Sequence, residues 1–410
     1  VVLSNLEVCS SILPTCTYIL KNHSMRILII GEYSGFSKYL CRGFHRVGVE
    51  ACAFNWGDTF KKIVSEPGSV TIDTSNYQLF GKDIKGSHYV RRFFSYIKMK
   101  RIIKKKKHYY DCALIVNPTF IKNNDGLWYD PLPTIEEVKS MLVEKEMIFL
   151  SACGNDFIFN SFLPFRKKTS EFYIKKYQGQ IETTKKQFLN ILDSIRGVIP
   201  VMVDYADAYR YFQTEYNYKI FNTIPLPYDV KLKVETKERC GKINIFHGVT
   251  RSKEKGSEII IKALKIIAER YNDKVTINIV SHLPLNEYLA IMRDADIIID
   301  QCYAHSYGMN TIEALSMGKV VLSGNEPENM QEFTINYCPV VNICPTVDSI
   351  LTELDILIND PSKIDMISKE SIDYALNLHD CKNIALKYIN LFSKQKSLYK
   401  KNEITGFYSK

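Results

Sequence analysis

The sequence has no Cys-x-x-Cys pair, no Gly-x-Gly-x-x-Gly turn and no long apolar run. Each absence removes a class of protein. Eleven cysteines stand at irregular spacing, which argues against a zinc ribbon and against a disulfide framework. They read as free thiols used as small hydrophobes in a reducing cytoplasm. Without an apolar run near the ~20 residues that span a bilayer, the chain is not expected to be an integral membrane protein. Without the full glycine fingerprint, and with no acidic residue closing the second strand, the NAD reading loses ground. At 46% hydrophobic and 24% charged residues, disorder, collagen-like repeats and coiled coil are excluded.

What is present is 410 residues with a net charge of +9. At ~150 residues per domain, that length predicts two or three domains. Residues 1–24 carry a broken apolar pattern and read as a leader or a poorly ordered segment. Arg26-Ile27-Leu28-Ile29-Ile30 reads as a buried strand, so the fold is expected to start at Met25. Strands then alternate with helices. Apolar runs near 50–54, 112–116, 147–151 and 198–203 are separated by helical periodicity. Thr134-Ile135-Glu136-Glu137 carries a capping-box signature. The pattern lapses around Pro225 and Pro227 and resumes with strands near 243–247, 275–280, 296–300 and 319–322. From about 346 the chain reads as helices. This alternation predicts an α/β protein with two Rossmann-like, doubly wound parallel domains facing a cleft. The expected divisions are 25–224, a linker at 225–241, 242–375, and C-terminal helices at 376–410 that cross back to the first domain.

In such folds the chemistry lies at the carboxyl ends of the strands. Gly31-x-x-x-Gly35 follows the first strand and permits a tight turn near a phosphate, though any strand-to-helix turn favours glycine. Gly248-Val249-Thr250-Arg251-Ser252-Lys253-Glu254-Lys255-Gly256 places two cations, Arg251 and Lys255, four residues apart between a strand and a helix. They suit a diphosphate, the lysine as a point charge and the arginine as a planar fork, although the loop taken alone reads more simply as a solvated basic turn. Farther on, Asp300-Gln301-Cys302-Tyr303-Ala304-His305-Ser306-Tyr307-Gly308-Met309-Asn310-Thr311-Ile312-Glu313 runs from a strand through a glycine turn into a helix. Free backbone N–H groups at Gly308–Asn310 form a ready anion site. Glu313 is read on about the first turn, within reach of a sugar's vicinal hydroxyls.

Together these residues resemble glycosyltransferase family 4, of the GT-B fold. The resemblance is carried by Gly248, Arg251, Lys255 and Gly256, and by Glu313, Ala314, Gly318, Val320 and Val321. It covers about 243–325 best. It implies a nucleotide-diphosphate sugar as substrate, with Arg251 and Lys255 on the diphosphate and Glu313 on the ribose. It also implies a retaining transfer without a metal or other cofactor, since no Asp-x-Asp ends a strand near the donor site. Donor contacts are expected from Gly31, Gly35, Tyr307, Gly308, Met309 and Asn310 as well. The family's usual first glutamate falls at His305, which would replace it with a different hydrogen-bond pattern. On the acceptor side Asp156, in Ser151-Ala152-Cys153-Gly154-Asn155-Asp156, is the candidate. An N-cap role suits it equally. His108 and Asn117-Pro118 are weaker ones.

Between Lys85 and Lys107 stand ten Lys or Arg residues and no acid. Tyr89, Val90, Phe93, Phe94 and Ile97 recur among them at helical spacing. A basic amphipathic helix of this kind suits an anionic membrane surface better than nucleic acid. The expected activity is therefore transfer of a sugar to a glycan or lipid-linked acceptor in cell-surface polysaccharide synthesis, at the cytoplasmic face of the membrane. Two other readings stay open: a nucleotide-sugar 2-epimerase of the same fold, and a non-catalytic nucleotide-sugar-binding protein.

Overall fold

The computed structural model describes residues 25–56, 66–72, 78–79, 82–123, 129–231, 241–281 and 283–407. The proposed leader, and most of the proposed linker beyond Lys231, lie outside the described residues.

The first sheet is built from β1 (Arg26–Ile30), β2 (Glu50–Asn55), β3 (Val70–Thr71), β6 (Cys112–Ile115), β7 (Ile148–Ala152) and β8 (Gly197–Pro200). Their order is β3-β2-β1-β6-β7-β8, and every pairing is parallel. A small antiparallel pair, β4 (Gln78–Leu79) and β5 (Lys82–Asp83), stands apart. The central strands are buried on both faces, which is why they read as continuous apolar runs rather than alternating ones. The second sheet contains β9 (Ile243–Val249), β10 (Val275–Ser281), β11 (Ile297–Ile299), β12 (Val320–Ser323) and β13 (Val341–Asn342). Its order is β10-β9-β11-β12-β13, again all parallel. In both sheets the first strand lies inside. The order therefore reverses between β1 and β6, and between β9 and β11, leaving a crevice at the carboxyl ends there.

Helices cover both sheets. The Thr134 capping box forms in full ahead of helix Ile135–Met141. The last helix, Cys381–Phe407, returns to the first sheet and packs on helix Phe36–Arg46. Gly43 makes that approach possible, because a Cβ there would lie 2.0 Å from the Cys381 carbonyl oxygen. Tyr388 and Phe392 then fill the space against Phe44 and Phe149. The two chain crossings between the sheets also pair. Tyr228 N–H donates to His379 O at 2.7 Å, and Cys381 N–H donates to Tyr228 O at 2.8 Å. Cys41, Cys52, Cys112, Cys153, Cys302, Cys338 and Cys381 are buried free thiols. No helix among the described residues is long and apolar enough to cross a membrane.

Candidate active site

The loop after β9 turns at Arg251, whose φ of 48° lies in the left-handed region, and again at Gly256 (φ 78°). Between them the short helix Ser252–Lys255 aims its two cations differently. Arg251 is exposed and has no ion pair among the described residues. Lys255 is buried, and its Nζ donates to Asp300 Oδ1 at 2.6 Å. The lysine expected to await a diphosphate is thus already held by a carboxylate. Asp300, at the carboxyl end of β11, also accepts from Asn310 Nδ2 and from Thr311 Oγ1, each at 3.0 Å. Burial would raise the Asp300 carboxyl, but Lys255 and the two side-chain donors outweigh it and hold it below its ordinary value. Behind this group His247 donates from Nδ1 to Ile299 O at 2.7 Å, and its Nε2 lies 3.0 Å from Ser257 Oγ. Burial lowers its pKa.

Helix Met309–Ser316 begins at Gly308 with no side chain capping its N-terminus, and a Cβ on Gly308 would meet open space. The first backbone N–H groups of a helix have no intrahelical acceptor, in keeping with an anion site. Tyr288 Oη donates to Asn310 Oδ1 at 2.9 Å, which steadies that turn. Gly248 lets the Tyr288 ring close in, since a Cβ would lie 2.6 Å from it. Glu313 falls on the second turn, not the first, so a helix-dipole role is weakened. Its Oε1 accepts from Tyr228 Oη at 2.8 Å, a partner the sequence reading did not offer. Tyr307 points away from the crevice. Its hydroxyl lies 2.6 Å from Tyr374 Oη and 3.0 Å from His379 Nε2 in the core, so only its backbone is left to the donor side.

His305 faces the first domain. Lys168 N–H donates to its Nε2 at 3.3 Å, and since an N–H can only donate, the ring hydrogen lies on Nδ1. Burial lowers the His305 pKa, opposed by Asp204 and reinforced by Arg166 and Lys168. A neutral imidazole that can donate from Nδ1 therefore stands at 305, where the sequence resemblance would place a glutamate. The segment carrying Arg166 and Lys168 clasps the second domain. Lys168 Nζ donates to Ile343 O at 2.9 Å and to Asn342 Oδ1 at 3.1 Å, and pairs with Glu326. Arg166 pairs with Asp204, which accepts from Ser306 N–H at 3.1 Å. Next, helix Glu171–Gln178 lies over the cation loop. Lys176 pairs with Glu254, and Lys253 Nζ stands 4.8 Å from the Phe172 ring centre.

The first-domain candidates take other roles. Gly31 and Gly35 do form the turn, with φ of 108° and 94°. However, Glu32 Oε1 accepts from Gly35 N–H at 2.9 Å and Oε2 from Lys38 N–H at 3.0 Å. The Glu32 carboxylate thus occupies the turn from within, where the sequence reading expects a phosphate. Asp156 is the N-cap of helix Phe157–Phe162 and is 1% exposed. Its Oδ1 accepts from Phe159 N–H at 2.8 Å and its Oδ2 from Tyr209 Oη at 2.6 Å. The cap occupies one oxygen and the Tyr209 hydroxyl the other. Burial raises its pKa to about 6 against these hydrogen bonds. Asn117 ties the ends of β6 and β7 together by donating to Cys153 O and Asn155 O. His108 lies at a turn beside Leu142 O. On helix Ser87–Lys105 the buried positions are Ser95, Met99 and Ile103, while Tyr89 (55% exposed), Val90, Phe93 and Phe94 (60%) face outward.

A cavity of about 570 Å³ opens elsewhere between the two domains, beside Arg210, Glu332 and Lys387. It touches none of the residues of the cation loop. No group of side chains among the described residues is arranged to hold a metal ion.

No family model and no curated protein matches this chain. Solved structures do. A sucrose-phosphate synthase from Thermosynechococcus elongatus matches 91% of this chain over 100% of its own, with a TM-score of 0.57 and 13% identity. Anabaena HepE, solved with UDP and glucose, matches 91% of this chain over 100% of its own, with a TM-score of 0.53 and 13% identity. A glycosyltransferase from Rickettsia africae matches 91% over 98%, with a TM-score of 0.52 and 13% identity. The fold is therefore GT-B, the two-domain architecture of glycosyltransferases.

Proposed function

We propose that this protein is a glycosyltransferase that takes a nucleoside-diphosphate sugar in the crevice of its second domain. The observation that carries the reading is the convergence at one point of the fold. The cation loop after β9 and the uncapped helix after β11 meet through Lys255, Asp300, Asn310 and Thr311. HepE, a protein of the same fold, binds UDP-glucose. In this reading Glu313 holds the ribose, and the diphosphate lies between Arg251, Lys255 and the N–H groups at Gly308–Asn310.

The reaction follows from charge. When the anomeric C–O bond breaks, its electron pair stays on the diphosphate oxygen. Fixed cations and helix N–H groups in a crevice covered by helix Glu171–Gln178 stabilise that charge without reorganising, and need no metal to do so. The acceptor hydroxyl bonds to the anomeric carbon from the face the diphosphate leaves, and its proton passes to the departing oxygen. Configuration is retained, as the family 4 resemblance implies. His305, neutral and donating from Nδ1, contacts the donor sugar.

The acceptor is a glycan or lipid-linked sugar of cell-surface polysaccharide synthesis. The outward Tyr89, Val90, Phe93 and Phe94 on the first half of helix Ser87–Lys105, with exposed Lys104, Lys105 and Lys107 at and beyond its end, support docking on an anionic membrane surface. A thermal-shift screen of nucleoside diphosphates and their sugars tests the central claim. A true ligand at 100 times its Kd adds about 2.7 kcal/mol of apparent stability. No shift with any of them would sink the reading.

A further inference from the structure

Asp300 is the hub of the proposed donor site, although no resemblance assigns it a role. It follows three buried isoleucines of β11 and is 3% exposed. Three donors from three places converge on it: Lys255 Nζ from the cation loop, and Asn310 Nδ2 and Thr311 Oγ1 from the first turn of the facing helix. Among the described residues it is the one carboxylate in ion-pair range of Lys255. We propose that Asp300 is a positioning residue for nucleoside-diphosphate binding, holding the Lys255 ammonium against the open N-terminus of helix Met309–Ser316. This rests on the nucleotide-sugar reading above.

The geometry suits positioning better than direct chemistry. Lys255, Asn310 and Thr311 all donate to Asp300, and among the described residues it belongs to no metal-holding cluster. An ammonium has three hydrogens. One goes to Asp300, which leaves two for phosphate oxygens. A paired carboxylate offsets the cost of burying that charge and fixes where the ammonium stands.

The test is calorimetric titration of the full chain with UDP. Wild type, Asp300→Asn, Lys255→Met and the double variant are compared. Asp300→Asn should bind about tenfold more weakly than wild type. The double variant should match Lys255→Met, because Asp300 acts through the lysine. Wild-type affinity in folded Asp300→Asn would overturn the proposal. So would an Asp300→Asn effect that persists undiminished on top of Lys255→Met. Should Asp300→Asn fail to fold, Thr311→Val unhooks the carboxylate from the helix and leaves the ion pair. A loss of about three- to fivefold is then expected, and no loss overturns the positioning role. If folded wild type binds no nucleoside diphosphate, the donor-site reading itself has failed, and this inference with it.

Discussion

Replacing Asp156 by asparagine separates a helix cap from an acceptor-side base. The carboxyl is held at about 6 in the fold against an ordinary value of 3.8, because burial outweighs the hydrogen bonds from Phe159 N–H and Tyr209 Oη. A carboxyl whose folded pKa is raised binds its proton more tightly in the native state. Its contribution is fully present below pH 3.8 and is lost as pH rises through 6. The two limits differ by roughly 3 kcal/mol. Asparagine caps as well as aspartate and keeps an oxygen for Phe159 N–H, yet it does not titrate. Urea unfolding of both proteins at half-unit steps from pH 4 to 7 isolates the effect, because every other acid cancels in the difference. Wild type should lose about 2 kcal/mol relative to the variant across that range, and the variant should still bind nucleotide. A difference that stays constant with pH would refute the burial argument. Lost turnover in a folded variant that binds donor would return Asp156 to the acceptor site.

Four further outcomes are expected. Arg251→Ala and Lys255→Ala should each cost roughly 2–4 kcal/mol in kcat/KM. Lys255→Ala should also lose about 3–5 kcal/mol of stability by stranding buried Asp300, while exposed Arg251 should lose within about 0.5; equal Tm values would contradict this. Glu313→Gln should weaken UDP binding in a folded protein, and an unchanged Kd would remove the residue from the ribose. Neutralising Lys104, Lys105 and Lys107 should cut binding to anionic liposomes by about 1 kcal/mol per charge and spare turnover of a soluble acceptor. Lys106 is left in place because it stands 3.4 Å from the Tyr109 ring centre, and binding that persists in high salt would locate the contact elsewhere. Gly43→Ala should destabilise by about 1–3 kcal/mol by forcing helix Cys381–Phe407 off helix Phe36–Arg46, read as a lower midpoint in urea; a wild-type midpoint would show that the helices yield.

What the sequence made legible is what period and punctuation encode. Arg26–Ile30 and Ile297–Ile299 are apolar because both faces of a central parallel strand are covered. Glycines at 31, 35 and 256 mark turns because they take positive φ. The crevice follows from that alternation, since strands that run parallel bring their carboxyl ends to one side. Partnership is a different kind of information. Nothing in Gly-x-x-Arg-x-x-x-Lys-Gly says that its lysine meets a carboxylate 45 residues later. Nothing in the first glycine turn says that Glu32 will fill it from within. One signal was available for Asp300: a carboxylate directly after a fully apolar strand must be buried or face the crevice, and either case needs a partner. Lys168 gives no such signal. It stands in an ordinary basic run, and its burial comes from the approach of the second domain, which supplies Glu326, Asn342 and Ile343. The same approach brings Lys176 to Glu254 on the cation loop, a pairing that neither stretch of sequence announces on its own.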